Sequence, residues 1–467
     1  MKIKLSLILL LLCQMVFSQD LEKTASDFVD NLFTKKYTES VKLEDDEVKD
    51  KMTETVLGMV NRQICGMFGD YKKVISTEKT VEDGIPMVLV YTEFSKQNVN
   101  FKVPFSKNNK VLGIFKGPDK EETSKVNRPQ TPKPPYSYKT EDVTITNPID
   151  KNLLAGTLTI PQNYSKNIPI YVLITGSGQQ DRDSEFYDHK PFAVIANYLG
   201  NNNIATLRMD DRGIGKSSPG KSTDTTENYA TDIMAAVNFL AQKGFSNIGL
   251  IGHSEGGAIA PMVAAKSKNI KNIKNIILLA GPGLPGNELL TLQNKRIDEV
   301  YGATPEQIED DIKIKSFFFK FVREYKGNNF PKDAHEELKK FFAQNTTKIP
   351  AKAQVKLSET LINSMVPWMI AFLKSTPEQY LVQVKIPVLA LNGSLDLQIT
   401  PEENLQAIKK ALIKAGNKDF EVLEIPGLNH LFQTAKTGSP KEYEEIEETF
   451  SPKALEIMKN WIQKHQK

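Results

Sequence analysis

Apolar positions change their spacing several times along the chain, and each change predicts a different kind of structure. Leu5 to Leu12 form one short apolar run behind Lys2 and Lys4. From residue 20 to 68 the spacing is near 3.6. Leu21, Ala25, Phe28, Val29, Leu32 and Phe33 predict one helix, and a second is predicted from about Val48 to Met67. Between 71 and 117 the period becomes that of strands, at Lys73–Ile75, Met87–Tyr91, Val99–Val103 and Val111–Phe115. Glu82-Asp83-Gly84 and Lys107-Asn108-Asn109 are the turns between them. Helices followed by a meander predict a small α+β domain over residues 19–117. Residues 118–136 carry five prolines and many charges with no apolar period, which predicts an extended linker.

From residue 137 to 467 strand and helix patterns alternate. Val143–Ile145 and Leu153–Ile160 predict an opening hairpin. Pro169–Ile174, Ile204–Met209, Ile248–Ile251, Ile276–Ala280, Pro387–Leu391 and Phe420–Ile425 predict further strands. Helices are predicted near 191–199, 226–243 and 258–265. Strands apolar on both faces with helices between them imply an α/β fold, a mostly parallel sheet covered on both sides. About a hundred residues, 283–386, break the alternation with helical pattern and no convincing strand, around Ser316–Phe321 and Trp368–Leu373. Such an insertion between two strands predicts a cap over a site, against the blander alternative of added core.

Composition narrows the function. Hydrophobic residues make up 40% and charged residues 25%, which excludes a mostly disordered chain. The net charge of +3 calls for neither nucleic acid nor an anionic membrane. Two cysteines, Cys13 and Cys65, exclude a disulfide scaffold and a cysteine zinc site, and no metal or organic cofactor is expected. Residues 1–18 predict a secretory signal peptide cut before Gln19, and hence a periplasmic or extracellular protein. The apolar run is too short for about 30 Å of hydrocarbon, so no stable membrane insertion is expected.

The chemistry starts at Gly252-His253-Ser254-Glu255-Gly256-Gly257, a G-x-S-x-G sequence between an apolar strand and a small-residue helix. A serine at the tip of that turn projects its hydroxyl clear of the sheet, and the N–H of Glu255 points at the same space, where an oxyanion would develop. A serine nucleophile needs a base and an acid, in the chain order Ser, acid, His. Of five histidines, His189 and His253 precede Ser254, His335 sits in a charged helix and His465 in the last turn. His430 follows a strand through Pro426-Gly427-Leu428-Asn429. Asp396 is the first carboxylate after the strand Pro387–Leu391. Glu402 and Glu403, beside Pro401, compete weakly as first-turn helix acids. The loop Thr175–Asp183 holds two glycines and offers the N–H of Ser177 or Gly178 as the second oxyanion donor, a choice the sequence leaves open. Asp181, Arg182 and Asp183 are expected to form ion pairs that stabilise this loop, with a substrate contact by Arg182 as the alternative. Met209–Ser217 has two glycines but neither nucleotide fingerprint, and reads as a supporting turn.

These residues resemble the α/β-hydrolase superfamily over roughly 137–467. Ser254, Asp396 and His430 match its triad. Gly176-Ser177-Gly178-Gln179-Gln180-Asp181-Arg182-Asp183 is similar to the oxyanion loop of secreted bacterial esterases related to the serine aminopeptidase group. The resemblance departs at Thr175, where relatives usually carry histidine, and this bears on the loop's hydrogen bonds. The N-terminal domain resembles in pattern a small uncharacterised domain with a nuclear-transport-factor-like fold. The resemblance implies a carboxylesterase-like enzyme acting on small-molecule esters of short to medium acyl chain. The alternatives are a serine aminopeptidase, which needs a cap carboxylate such as Glu306, Glu309, Asp310 or Asp311 for the substrate ammonium, and a non-catalytic binding protein on the same scaffold.

Overall fold

The computed structural model describes residues 21–82, 85–117, 128–163, 165, 168–266, 273–345 and 349–466. The expected signal peptide and residues 118–127 of the expected linker lie outside the described residues. The chain forms two compact units that divide between Lys125 and Val126.

In the first unit α1 (Leu21–Phe33), α2 (Tyr37–Leu43) and α3 (Glu54–Phe68) precede a four-stranded sheet. Its strands are β1 (Tyr71–Glu82), β2 (Ile85–Phe94), β3 (Asn98–Pro104) and β4 (Phe115–Lys116), antiparallel in that order. Phe28 and Leu32 of α1 and Leu57 of α3 pack on Val88, Val90 and Phe101 of the sheet, all buried. Three expectations need correction. The second helix begins at Glu54 rather than near Val48, because Thr53 caps it by accepting a hydrogen bond from the Val56 N–H. The short polar α2 has too few apolar positions to show a period. Val111–Phe115 is not one strand: Val111 forms isolated bridges to Glu44 and Phe105, its N–H donating to the Leu43 carbonyl and its carbonyl accepting from Asp45, and only Phe115 enters a strand, β4.

Glu44 sits in that segment, 1% exposed, and neither carboxylate oxygen has a hydrogen-bond partner among the described residues. Burial pushes its carboxyl up to about 7 from an ordinary 4.5, with Lys49 opposing. The folded unit therefore binds this proton more tightly than the unfolded chain. Its stability falls as pH rises from about 4.5 to about 7 and then levels off, a difference on the order of 3 kcal/mol. Glu44→Gln should remove that slope. Urea unfolding at pH 5 and pH 8 is expected to favour the variant more at pH 8, and an equal or larger gain at pH 5 would count against this account.

The second unit opens with the antiparallel hairpin β5 (Tyr138–Thr146) and β6 (Leu153–Pro161). It continues as β7 (Ile170–Ile174), α4 (Pro191–Gly200), β8 (Ala205–Met209), α5 (Thr226–Gln242), β9 (Ile248–His253), α6 (Glu255–Lys266) and β10 (Ile273–Leu279). Six helices follow, from α7 (Gly286–Val300), α8 (Pro305–Glu324), α9 (Phe330–Gln344) and α10 (Ala351–Asn363) to α11 (Pro367–Lys374) and the single turn α12 (Glu378–Leu381). The chain then returns through β11 (Val388–Gly393), α13 (Pro401–Ala415), β12 (Phe420–Ile425) and α14 (Pro452–Lys464). The eight strands lie in the order β12-β11-β10-β9-β7-β8-β6-β5. Strands β7 to β12 pair in parallel, while β6 runs antiparallel to β8. This is the α/β-hydrolase fold the sequence implies.

Apolar side chains fill both faces of the sheet, as its unbroken apolar strands require. Val172, Leu207, Leu250, Ile276 and Ala390 face α5, α6 and α13. Tyr171, Leu173, Ile251, Ile277 and Leu389 face α4 and α14. The helices between β10 and β11, where the cap is expected, have a core of their own around Phe318, Phe319, Leu338 and Phe341. Strand β7 lies between β8 and β9, with its chain leaving first to one side and then to the other. That reversal opens a crevice beyond the carboxyl ends of β7 and β9, the place where a ligand fits in an open parallel sheet.

The expected linker also ends early. Arg128 is buried and donates to the carbonyls of Tyr187, Glu444 and Ile446. Gln130 bonds the backbone of Thr449 and Phe450. Residues 128–136 thus dock on the second unit, because their polar groups meet loop carbonyls that would otherwise go unpaired.

Candidate active site

Strand β9 enters α6 through Ser254, whose φ of +53° lies in the left-handed region. A residue with a Cβ is held there at a cost of roughly 1–2 kcal/mol. The surroundings enforce it: the Ser254 N–H donates to the Leu279 carbonyl at 2.9 Å, and its carbonyl accepts from Gly257 at 2.8 Å. Two glycines make the turn feasible. A Cβ on Gly252 would lie 2.0 Å from the Gly256 carbonyl oxygen, and one on Gly256 would lie 2.3 Å from that of Ile174.

His430 and Asp396 come from the loops after β12 and β11. Both are buried, and His430 Nδ1 lies 2.9 Å from Asp396 Oδ2. A carboxylate accepts, so Nδ1 carries the proton and the Nε2 lone pair is left available. Asp396 is fixed by the N–H groups of Gln398 and Ile399, which donate to its other oxygen at 2.8 and 2.9 Å. Asn429 pins the His430 loop by accepting from Leu431 and Gln433 through its side chain. The His253 ring lies 4.9 Å from that of His430, and its Nε2–H donates to the His430 carbonyl. Burial, with His430 alongside, pushes His253 down to about 3, so it stays a neutral spacer. Glu402 and Glu403 begin α13, as first-turn acids.

The loop after β7 passes beside the serine. A Cβ on Gly176 would lie 3.2 Å from the Ser254 Cβ. Ser177 lines the same cavity as Ser254, whereas Gly178 lines a small void behind the loop. The loop is clamped by the turn after β8. Asp211 accepts from the Thr175 hydroxyl and the Gln180 N–H at 2.9 Å, and Gln179 donates to the Arg212 carbonyl. Thr175 thereby ties the loop to this turn. Burial, reinforced by Glu255 and Asp232, pushes Asp211 up to about 7. Arg182 gives its donors to Asp210, Thr157 and Asp142 and does not line the cavity, so its role is the ion pair and not a substrate contact. Asp183 faces Arg208 and Lys190, while Asp181 caps the loop by accepting from the N–H groups of Asp183 and Glu185.

Ser254, His430 and Ser177 open into one cavity of about 660 Å³. Its lining is of two kinds. Leu289, Leu290, Trp368, Met369 and Phe372 come from the helices between β10 and β11 and are apolar. Gln180, Glu185, Gln398 and Tyr443 come from the loops of the sheet and are polar, with the half-exposed Phe186 among them. The Glu255 side chain, foreseen only for its N–H, is buried in the wall. Its carboxylate accepts from the Thr226 hydroxyl at 2.6 Å and the Trp368 indole at 2.9 Å, and the Ser177 hydroxyl also bonds it. Burial raises its carboxyl above the usual range. The acids Glu306, Glu309, Asp310 and Asp311 line no part of this cavity, and Glu309 and Asp311 pair with Lys313 and Lys315 along α8. Among the described residues no group of His, Cys, Asp and Glu is arranged to hold a metal, and no helix is long and apolar enough to cross a membrane.

A family model described as serine aminopeptidase, S33, matches residues 188–434. A second, for a protein of unknown function, matches residues 25–114. The esterase EstD of Thermotoga maritima is 23% identical over 418 residues, 89% of each chain. Among solved structures, Est1E of Butyrivibrio proteoclasticus with ferulic acid bound is 19% identical, with a TM-score of 0.38, over 69% of this chain and 96% of that one. The Pyrococcus furiosus esterase Pf2001 is 16% identical, with a TM-score of 0.42, over 70% and 92%.

Proposed function

Because the chain belongs to the serine aminopeptidase S33 family, we propose that it is a serine carboxylesterase in which Ser254, His430 and Asp396 form the catalytic triad. The observation that carries this reading is the 2.9 Å His430–Asp396 hydrogen bond, set in one cavity with a serine at positive φ. Ser254 Oγ attacks the ester carbonyl while His430 Nε2 takes its proton. The N–H groups of Glu255 and Ser177 stabilise the oxyanion. Ser177 is preferred to Gly178 because it borders the serine's cavity. His430 then returns the proton to the leaving alcohol, and water, activated by the same imidazole, releases the acid.

Esters are preferred to peptides for two reasons. The relative at 23% identity is an esterase. The cap acids that an aminopeptidase would need for the substrate ammonium lie off the cavity, and its lining from the cap is apolar. The substrates are small-molecule esters of short to medium acyl chain, with the chain under the cap. Export by the signal peptide belongs to the same reading, and mass spectrometry of the secreted protein should then find Gln19 as its first residue.

The test is a panel of p-nitrophenyl esters beside aminoacyl p-nitroanilides. Turnover of the esters with little on the anilides is expected, and the reverse would move the function to a peptidase. A fluorophosphonate should label the protein once, on the peptide that holds Ser254.

A further inference from the structure

A second cavity, of about 290 Å³, lies on the far side of the wall behind Ser254. It is nearly twice the ~150 Å³ of an apolar cavity large enough to take up benzene. Ala258 and Met262 of α6, Leu284, and Ala371 of α11 form its apolar floor, and Glu227, Lys374 and Gln379 stand at its mouth. The partition is one layer thick, since Glu255, Pro282 and Phe372 border both cavities. Trp368 closes it from the catalytic side. Its ring stacks on Phe372 at 5.4 Å, and its indole N–H is bonded to the Glu255 carboxylate.

Resting on the esterase reading, we propose that this second cavity is an extension of the acyl site, which receives the distal carbons of a linear acyl chain when Trp368 swings aside. Three features support it. The cavity adjoins the catalytic cavity at apolar residues, sharing Pro282 and Phe372 with it, and the one carboxylate on that border, Glu255, is turned to hydroxyl donors. Its floor is apolar, as methylenes require. The closing contact is cheap to break: when the indole leaves, Glu255 keeps the Thr226 and Ser177 hydroxyls, so no buried carboxylate is stranded. Trp368 is then a specificity-determining residue that sets how far the enzyme reads along the chain.

The experiment measures kcat/KM for p-nitrophenyl dodecanoate and p-nitrophenyl butyrate with the full-length protein and reads their ratio. Ala371→Phe, which fills the second cavity from the cap, is expected to lower the ratio about tenfold, since a single methylene excluded from an apolar pocket is worth about that much. Ala258→Leu fills it from α6 and should act the same way if the first variant folds poorly. Trp368→Ala, which removes the partition, should raise the ratio by about tenfold, and adding Ala371→Phe to it should cancel the gain. Ester turnover with a ratio unmoved by either filling variant, at unchanged melting temperature, overturns this inference alone. Absence of ester turnover in the wild type overturns the esterase reading and this inference with it.

Discussion

Ser254→Ala is expected to leave a folded protein whose kcat on p-nitrophenyl butyrate is lower by about four to six orders of magnitude. The size of the effect follows from the loss of the covalent route: without Oγ there is no acyl-enzyme, and only the N–H groups of Glu255 and Ser177 are left to act on a bound ester. Folding should be spared because the backbone at residue 254 is held by contacts that alanine keeps, namely the bonds to Leu279 and Gly257 and the close packing of Gly252 on Gly256. Alanine has the same Cβ, so its strain at a φ of +53° is that of the serine. The measurement is steady-state hydrolysis beside thermal unfolding. A variant within tenfold of wild type would mean that another group is the nucleophile.

Arg212→Leu should be the most destabilising single change, by roughly 3–5 kcal/mol near neutral pH. Arg212 is 1% exposed. Its guanidinium bonds Asp232 at 2.6 Å, Asp150 at 2.7 Å and Asp224 at 3.1 Å, and it donates to the Asn228 carbonyl. Leucine fills part of the space but leaves the buried Asp224 and Asp232, and the half-buried Asp150, without their cation. Burial already holds the Asp232 carboxyl above its usual range with Arg212 in place. Without the cation it rises further, so the variant should lose stability as pH rises and regain part of it as pH falls toward 5. Urea unfolding across that range gives the answer, and a loss below about 1 kcal/mol at pH 7 would rule the network out as a major support. Activity should fall with stability, because the same turn holds the oxyanion loop through Asp211 and Gln179.

The positions of the candidate site's residues at strand ends could be read from the sequence. Ser254, Asp396 and His430 each stand just after an apolar run, where a parallel sheet places its loops, and chain order excluded His189 and His253. Both excluded histidines have structural duties. His189 is buried between Thr449 and the Tyr443 carbonyl, and His253 props the His430 loop. Contacts across long separations could not be read. Trp368 reaches Glu255 from 113 residues away. Arg128 meets Glu444 and Ile446 across 316 and 318 residues. A proline-rich charged segment has the same composition whether it is solvated or docked, so residues 128–136 read as linker. Val111–Phe115 read as a strand because its apolar run carries no sign of where its backbone hydrogen bonds go. The second cavity depends on how α11 lies against α6, which no local pattern encodes.

The docking of Arg128 has a consequence for anyone recombining these proteins. The family match begins at residue 188, and a proline-rich stretch invites a joint anywhere within it. Yet Arg128 holds the Tyr187 carbonyl beside Phe186, at the loop rim of the catalytic cavity, where the backbone has positive φ at Ser184, Tyr187 and Asp188. A chimera joined after residue 136 would carry Ser254, Asp396 and His430 and still release that rim. Exchanging N-terminal units between relatives therefore calls for a joint before residue 128, so that a short piece of what looks like spacer travels with the enzyme.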